Sequence, residues 1–191
     1  FVPSRGLGDV YKRQILDEAY AEFAPDEAKV PIFLDDPRMI RFRTFSKAYG
    51  VAGARIGYGI GNEELIAEFD KIRNHFGNSL LSQVAAIAAI KDQRYLSEIV
   101  KKISLGREEI YQIAQSNGLT AIPSATNFVA IDCGKDGKFA NQIMNGLLEA
   151  KLFVRKPVVA PLDRTIRVTV GRDEEIDLLK NVLPKVLKAL R

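Results

Sequence analysis

The side chains with the clearest chemical potential surround Lys47, in the segment RTFSKAYG. Thr44 and Ser46 precede the lysine, and a turn of small residues follows it. A lysine taken alone is more often a solvated loop residue, because burying an ammonium group without a partner costs several kcal/mol. A position between hydroxyl groups and a small-residue turn, directly after an apolar stretch, is unusual for a simple surface charge. Lys47 is therefore the leading candidate for a chemical role.

A second set of reactive side chains occurs earlier in the chain, in the segment DEAY that begins at Asp17. An apolar pair precedes it and predicts a short strand. Where parallel strands end at one edge of a sheet, their last residues surround a shared crevice. An acid, a phenol, a lysine, two hydroxyl groups and the guanidinium of Arg55 would then converge. Together they form the set of groups that a phosphorylated pyridine aldehyde needs.

From Ile15 onward the sequence resembles a known family. The segments that carry the likeness, in the order in which that family has them, are DEAYAEF, RTFSKAYGVAGARIGY, KIRNHFGNS, SATNFVAID, FVRKP and IRVTVG. They resemble the aspartate-aminotransferase-like enzymes that depend on pyridoxal 5′-phosphate (PLP), and within them the histidinol-phosphate aminotransferases. The lysine segment is the most specific of these, whereas DEAY alone would be a weak signal. The resemblance implies an α/β fold: part of a fold-type-I large domain with a mainly parallel sheet, followed by a small α+β domain.

The resemblance also implies a role for each candidate cofactor-binding residue. Lys47 would bind PLP as an imine and then transfer a proton. Asp17 would lie against the pyridine nitrogen and keep it protonated, and Tyr20 would contact the phenolic oxygen of the cofactor. Three side chains would hold the phosphate group: Thr44, Ser46 and Arg55.

Two arginines near the end of the chain are the candidate substrate-binding residues. An arginine on a short strand more often forms a surface salt bridge. In the family context, Arg167, expected to face inward from a strand, would receive the anionic end of the substrate, with Arg155 as its companion. His75 is the only histidine, and we expect a structural or cofactor-proximal role for it. Asn78 is more simply explained as a turn residue, and Tyr49 as a packing residue.

The implied activity is amino transfer between histidinol phosphate and 2-oxoglutarate in histidine biosynthesis, by a cytoplasmic homodimer. Its partners would be a small-molecule amino donor and a 2-oxo acid. Two other PLP-dependent activities stay open: an aromatic amino-acid aminotransferase and a decarboxylase of an amino-acid phosphate, because fold and cofactor do not decide the reaction. The non-enzyme alternative is an anion-binding interaction module, which predicts basic residues clustered on one face.

The elements that must position these residues follow from hydrophobic periodicity and turn residues. Strands are predicted at 15–17, 39–45, 55–60, 127–132, 153–155 and 165–170. Helices are predicted at 62–72, 81–90, 95–117, 139–151 and 173–190. Helix 81–90 is almost entirely small or apolar, which predicts a buried helix between two domains.

The pattern of elements predicts two domains. Residues 15–92 are expected to form the C-terminal part of a large PLP-binding domain, and residues 93–191 a small C-terminal domain. Residues 1–14 show no periodicity, and Phe1 is not an initiator, so we expect a non-native or disordered terminus. The chain would then be the C-terminal half of a longer enzyme, inactive and poorly soluble on its own.

Composition excludes several other classes of protein. The chain has 191 residues, 47% of them hydrophobic, and a formal net charge of +4. Lysine and arginine are spread along the sequence, so we expect no nucleic-acid partner. No apolar run approaches the roughly 20 residues of a membrane span. The single cysteine, Cys133, rules out an internal disulfide, and no zinc-ligand spacing is present. We place Cys133 in the core.

Overall fold

The computed structural model describes residues 13–190. The chain divides into two compact units, the first ending at Ser97 and the second running from Glu98 to Arg191. The sequence predicts this boundary a few positions earlier, after residue 92. Each unit contains a three-stranded sheet.

The sheet of the first unit brings the two reactive segments together. Its strands are β1 (Gln14–Asp17), β2 (Met39–Thr44) and β3 (Gly57–Gly61), in the order β1-β2-β3. Strands β1 and β2 are parallel, with Asp17 opposite Phe42, and β3 is antiparallel to β2. Strands β1 and β2 therefore end at the same edge, as the sequence predicts.

Two details of β3 follow from its residues. A Cβ atom on Gly57 would lie only 2.6 Å from the carbonyl oxygen of Arg43, so glycine allows the backbones to approach, as expected for this strand. The predicted strand 55–60 is wrong at its start, because Arg55 ends a 3₁₀ turn (Ala52–Ala54) in the left-handed conformation, with φ of 50°. That conformation interrupts an extended chain.

The helices of the first unit are α1 (Glu63–Ala67) and α2 (Leu80–Lys91). Asn62 caps α1 by accepting hydrogen bonds from the backbone of Glu64 and Leu65, as an asparagine at the start of a helix commonly does. The predicted helix 62–72 instead changes to a 3₁₀ turn over Glu68–Lys71. Short 3₁₀ turns also occur at Ala21–Phe23 and Asp26–Ala28.

Helix α2 is not buried, and this prediction is wrong for the chain as it stands. Only Ala86 is buried, while Leu81 is 82% exposed and Leu80 74%. Ala86 packs against Phe45 and Tyr49. The helix is apolar all round, so contact with one cluster covers one side and leaves the rest exposed to water.

The second unit has a single antiparallel sheet. The remaining elements are α3 (Gln93–Ser116), which contains the unit boundary, β4 (Thr120–Ile122), β5 (Phe128–Asp132), α4 (Gly137–Glu149), β6 (Thr165–Thr169) and α5 (Asp173–Ala189). The strand order is β4-β5-β6. Strand β4 is absent from the sequence prediction. The predicted strand 153–155 is wrong, because only Arg155 pairs there, in an isolated bridge to Arg167.

One face of this sheet and the helices share a hydrophobic core. Val129 and Ile131 of β5 and Ile166 of β6 are fully buried, on the same face by strand alternation. Helix α5 contributes residues at helical spacing: Ile176, Leu179, Leu183 and Leu187. Cys133 is 2% exposed and belongs to this core, which confirms its predicted place.

The N-terminal prediction is partly outside the described residues. Residues 1–12 belong to the segment expected to be non-native or disordered, and the structure does not describe them. For Gln14 the expectation is wrong, because this residue opens β1 opposite Met39 and donates its N–H to the carbonyl of Arg38. Within residues 13–190, no helix has the length and apolar character needed to cross a membrane.

The apolar surface of α2 leads to a prediction about association. Changing Leu81 and Ile87 together to lysine should reduce light scattering by the 191-residue chain, because both side chains are mainly exposed. Lysine is a good helix former, so the unfolding free energy should change by less than about 0.5 kcal/mol. A charge-matched control changes the exposed Gln112 and Gln115 of α3 to lysine. Equal scattering from both variants would contradict a role for the α2 surface.

The buried thiol gives a prediction about pH. Burial raises the pKa of Cys133 from 9.0 to about 11, so the folded chain keeps the proton over a range in which the unfolded chain loses it. Stability from this group is full below pH 9, and the unfolding free energy should fall as pH rises from 9 to 11. Urea unfolding at several pH values, compared with Cys133→Ala, measures the effect. At pH 8 a thiol reagent should modify Cys133 only after unfolding; rapid modification of the native chain would refute the assignment.

Candidate active site

The end of β1 turns sharply and carries two of the predicted site residues. Asp17 is exposed, and its Oδ1 accepts a hydrogen bond from the Ala19 backbone N–H at 3.1 Å. This turn directs the chain toward Tyr20, whose ring centroid lies 5.3 Å from Nζ of Lys47. Although 27 positions separate Tyr20 from Lys47 in the printed sequence, the parallel pairing of β1 and β2 brings them together.

The segment after β2 holds Lys47 in a fixed turn. The Thr44 hydroxyl accepts a hydrogen bond from the Ser46 N–H at 3.0 Å. The carbonyl of Lys47 accepts one from Gly50, also at 3.0 Å, and Gly50 has the positive φ of 72° that this turn requires. Thr44, Ser46 and Lys47 are therefore neighbours on one ordered turn.

An aromatic cluster supports this turn from beneath. Phe45 is buried, with its ring centroid 5.0 Å from that of Tyr49 and 5.3 Å from that of Tyr58. Phe45 anchors the chain between Thr44 and Ser46, which are both half-buried. Tyr49 is buried, which confirms its predicted packing role.

Arg55 follows this turn but is exposed. Its Nη1 donates to the Ala52 carbonyl at 2.9 Å, within its own turn. Arg55 therefore lies two residues before β3, the strand that pairs with β2. Its hydrogen bond is to a backbone carbonyl and not to the hydroxyl group of Thr44 or Ser46.

Sequence reasoning missed the ionic network beside this edge. Glu18 accepts hydrogen bonds from Nε of Arg41 at 3.0 Å and from Nε of Arg43 at 3.0 Å, and its other oxygen pairs with Nη2 of Arg41. Arg41 is 2% exposed. It also donates to the carbonyls of Pro31 and Val30, at 2.6 and 2.7 Å. The available signal was the presence of two arginines, two positions apart, in an otherwise apolar strand.

The network determines the charge state of Glu18. Burial disfavours ionisation of this carboxyl, but the hydrogen bonds and charges of Arg41 and Arg43 together outweigh burial, and its pKa is lowered. The pKa of Arg43 is raised, because its bonds to Glu18 and Tyr58 outweigh its own partial burial. Glu22 lies on the turn after Tyr20. Burial raises its pKa, because the interactions that favour its ionised form are weaker than the effect of burial.

The two predicted substrate arginines lie in the second unit. Arg167 does not face inward: Ile166 and Val168 fill the core, so strand alternation directs Arg167 to the opposite face. Its guanidinium lies 4.7 Å from the ring centroid of Phe128. Arg155 and Arg167 exchange both backbone hydrogen bonds, at 3.1 and 2.6 Å, and residues paired in this way have side chains on one face.

The remaining candidates have no comparable surroundings. His75 and Asn78 are exposed in the segment between α1 and α2. A groove of about 750 Å³ runs between α3 and the start of α5, and its walls include Ile103, Glu109 and Arg172. No predicted site residue lines this groove. Its size therefore does not identify the chemical site.

The donor set around Lys47 fits a phosphorylated pyridine aldehyde. Among residues 13–190 no carboxylate is paired with the half-buried amine of Lys47, so its nitrogen is available for a carbonyl group. A phenol lies beside it, and two hydroxyl groups share its turn. A carboxylate ends the neighbouring strand. No other described segment combines these groups.

Comparisons with known proteins give the family context. The profile of the family described as "Aminotransferase class I and II" matches residues 13–183. The chain is 39% identical over 177 residues to the histidinol-phosphate aminotransferase of Geobacillus sp. (strain WCH70), a match that covers 91% of this chain and 48% of that protein. The enzyme of the same name from Bacillus subtilis (strain 168) is 36% identical over 189 residues, with 97% and 50% covered.

A solved structure is also similar. The histidinol-phosphate aminotransferase from Sinorhizobium meliloti, in complex with pyridoxal-5′-phosphate, is 52% identical, with a TM-score of 0.89 over 93% of this chain and 49% of that chain. This likeness confirms the predicted α/β class of the fold-type-I enzymes. The chain spans about half the length of the curated relatives it matches.

The buried network yields a stability prediction. Arg41→Ala leaves the Glu18 carboxylate without its main partner, so the unfolding free energy should fall by about 3 kcal/mol. The matched control is Arg38→Ala. It removes an ion pair with Asp36 that is more exposed than the pair between Arg41 and Glu18, so the unfolding free energy should change by less than about 1 kcal/mol. Urea denaturation of the two variants measures the difference. Equal midpoints would show that the network does not stabilise the first unit.

Proposed function

The chain belongs to the class I and II aminotransferases, and we propose that it is about half of an enzyme of histidine biosynthesis. This enzyme transfers an amino group between histidinol phosphate and 2-oxoglutarate with PLP as cofactor. The observation that carries the proposal is the Lys47 amine beside the Tyr20 ring, where parallel strands β1 and β2 end. Identity of 52% to a histidinol-phosphate aminotransferase in complex with PLP supports the choice of activity.

The residues of the first unit bind and orient the cofactor. When bound, PLP supplies a protonated ring that accepts electrons from the reacting carbon. The amine of Lys47 would hold the cofactor through its aldehyde carbon and, when free, would move the proton at the reacting carbon. Asp17 holds the proton on the ring nitrogen, because a carboxylate favours the cationic ring. Tyr20 donates its hydroxyl to the phenolic oxygen.

The phosphate group is held by three side chains from the end of β2 and the segment between β2 and β3. The hydroxyl groups of Thr44 and Ser46 donate hydrogen bonds, and Arg55 provides a fork of N–H donors. The exposed Arg55 exchanges its bond to the Ala52 carbonyl for a charged partner, which makes a stronger bond. The left-handed backbone of Arg55 holds this side chain at the start of β3.

Arg167 and Arg155 bind the anionic part of the substrate. They lie on one face of the second sheet through their paired backbones, and the Arg167 guanidinium contacts the Phe128 ring. Two guanidinium groups on one face can share a phosphate or carboxylate. The amino donor and the 2-oxo acid are thus the small-molecule partners. The proposal includes a cytoplasmic homodimer, and the exposed apolar surface of α2 supports association.

Lys47 provides the direct test. In the complete enzyme that contains this chain, Lys47→Ala should abolish amino transfer from histidinol phosphate to 2-oxoglutarate and remove the visible absorption of bound PLP. The stability should change by no more than about 1 kcal/mol, because the described contact of this amine is with one aromatic ring. Glutamate production and the absorption spectrum are the measurements.

Two comparisons make this test specific. Lys71→Ala removes an exposed lysine that pairs with Glu68, and it should keep both activity and absorption. With the unchanged enzyme, kcat/KM for histidinol phosphate should exceed that for phenylalanine by at least about tenfold, equivalent to about 1.4 kcal/mol. Full activity of Lys47→Ala, or a preference for phenylalanine, would contradict the proposal.

A further inference from the structure

Glu18 stands directly beside Asp17 but belongs to the other face of the sheet. Strand alternation separates their side chains, so that Asp17 is at the site edge while Glu18 faces Arg41 and Arg43. The backbone N–H of Glu18 donates to the Phe42 carbonyl at 2.9 Å, and its carboxylate is held by both arginines. Hence the residue after Asp17 is fixed to β2 through both its backbone and its side chain.

This arrangement also sets the local charge. Glu18 carries one negative charge against the two positive charges of Arg41 and Arg43. Replacing the carboxylate with an amide would leave both arginines uncompensated, one residue away from Asp17. The other titratable groups of this surrounding are Tyr58 of β3, opposite Arg43 in the ladder, and Tyr49 and Glu22, both of which interact with Arg43 by charge. Lys29 interacts by charge with Glu22.

We propose that Glu18 is a positioning residue for the cofactor: it fixes the backbone that carries Asp17 at the edge of β1 and offsets the positive charge of Arg41 and Arg43 next to that edge. The inference rests on the proposed function, since Asp17 acts on the pyridine nitrogen only if PLP binds here. Glu18 itself touches neither substrate nor cofactor. Its contribution reaches the site through the backbone it fixes and the charge it neutralises.

The test compares charge-changing variants of the complete enzyme. Glu18→Gln should weaken PLP binding about tenfold and move the pH midpoint of the bound-cofactor absorption lower by about half a unit, because added positive charge disfavours a protonated ring. Arg43→Gln removes one positive charge and should move that midpoint higher. Glu18→Asp keeps the charge and should restore the midpoint. The matched control is Glu27→Gln, on an exposed turn, which should change neither quantity.

The outcomes separate a positioning role from a merely structural one. If Glu18→Gln does not fold, the pH midpoint of the bound-cofactor absorption in Arg43→Gln tests the inference instead. A midpoint that stays at the wild-type value in whichever of these variants folds would overturn the inference, even where PLP binds more weakly. Opposite shifts in the two variants, with rescue by Glu18→Asp, would support it. Absence of PLP binding by the unchanged enzyme would instead overturn the proposed function, and the inference with it.

Discussion

The buried ion pair between Glu18 and Arg41 is the interaction on which the first unit depends. A guanidinium that is 2% exposed is stable only when its donors are satisfied. Arg41 meets this condition with the carboxylate of Glu18 and two carbonyls of the segment before β2. The pair therefore joins the end of β1, the middle of β2 and the connection between them. The edge at which Tyr20 and Lys47 are brought together is a consequence of this network and of the parallel ladder.

The aromatic cluster complements this network from the other end of β2. Phe45 packs against Tyr49 and Tyr58, and Arg43 lies opposite Tyr58 in the ladder between β2 and β3. Arg43 thus connects the ionic network to the cluster beneath the Lys47 turn. Because rigid packing fixes the backbone on both sides of Lys47, its amine needs no ion pair to hold its position. Within residues 13–190 this amine has no carboxylate partner, so no ion pair has to be broken before its nitrogen meets a carbonyl group.

The sequence predicted what local patterns determine. The end of β1 and the core position of Cys133 follow from residue type and spacing. The reactive segments were identified from their residue types, and the roles of their residues by resemblance. It could not predict the partners of Glu18, because ion pairing depends on the register between β1 and β2. The burial of α2 was predicted wrongly. The apolar composition of a helix indicates that its surface is suited to packing, but it does not show whether other residues of the same chain pack against it. Strand β4 is only three residues long, too short for a periodic signal.

The two paired arginines of the second unit repel each other, and in the proposed enzyme this unfavourable arrangement would serve substrate binding. Like charges directly opposite each other on paired strands destabilise a sheet, and Arg155 and Arg167 have this arrangement. The Phe128 ring offsets part of the repulsion through its contact with the Arg167 guanidinium, but it does not neutralise either charge. An anion bound to both would do so. Binding of such an anion would remove the repulsion between the two guanidinium groups. The free energy released in this way would add to the affinity of the proposed site. The same sheet therefore presents apolar residues to the core on one face and two paired arginines on the other.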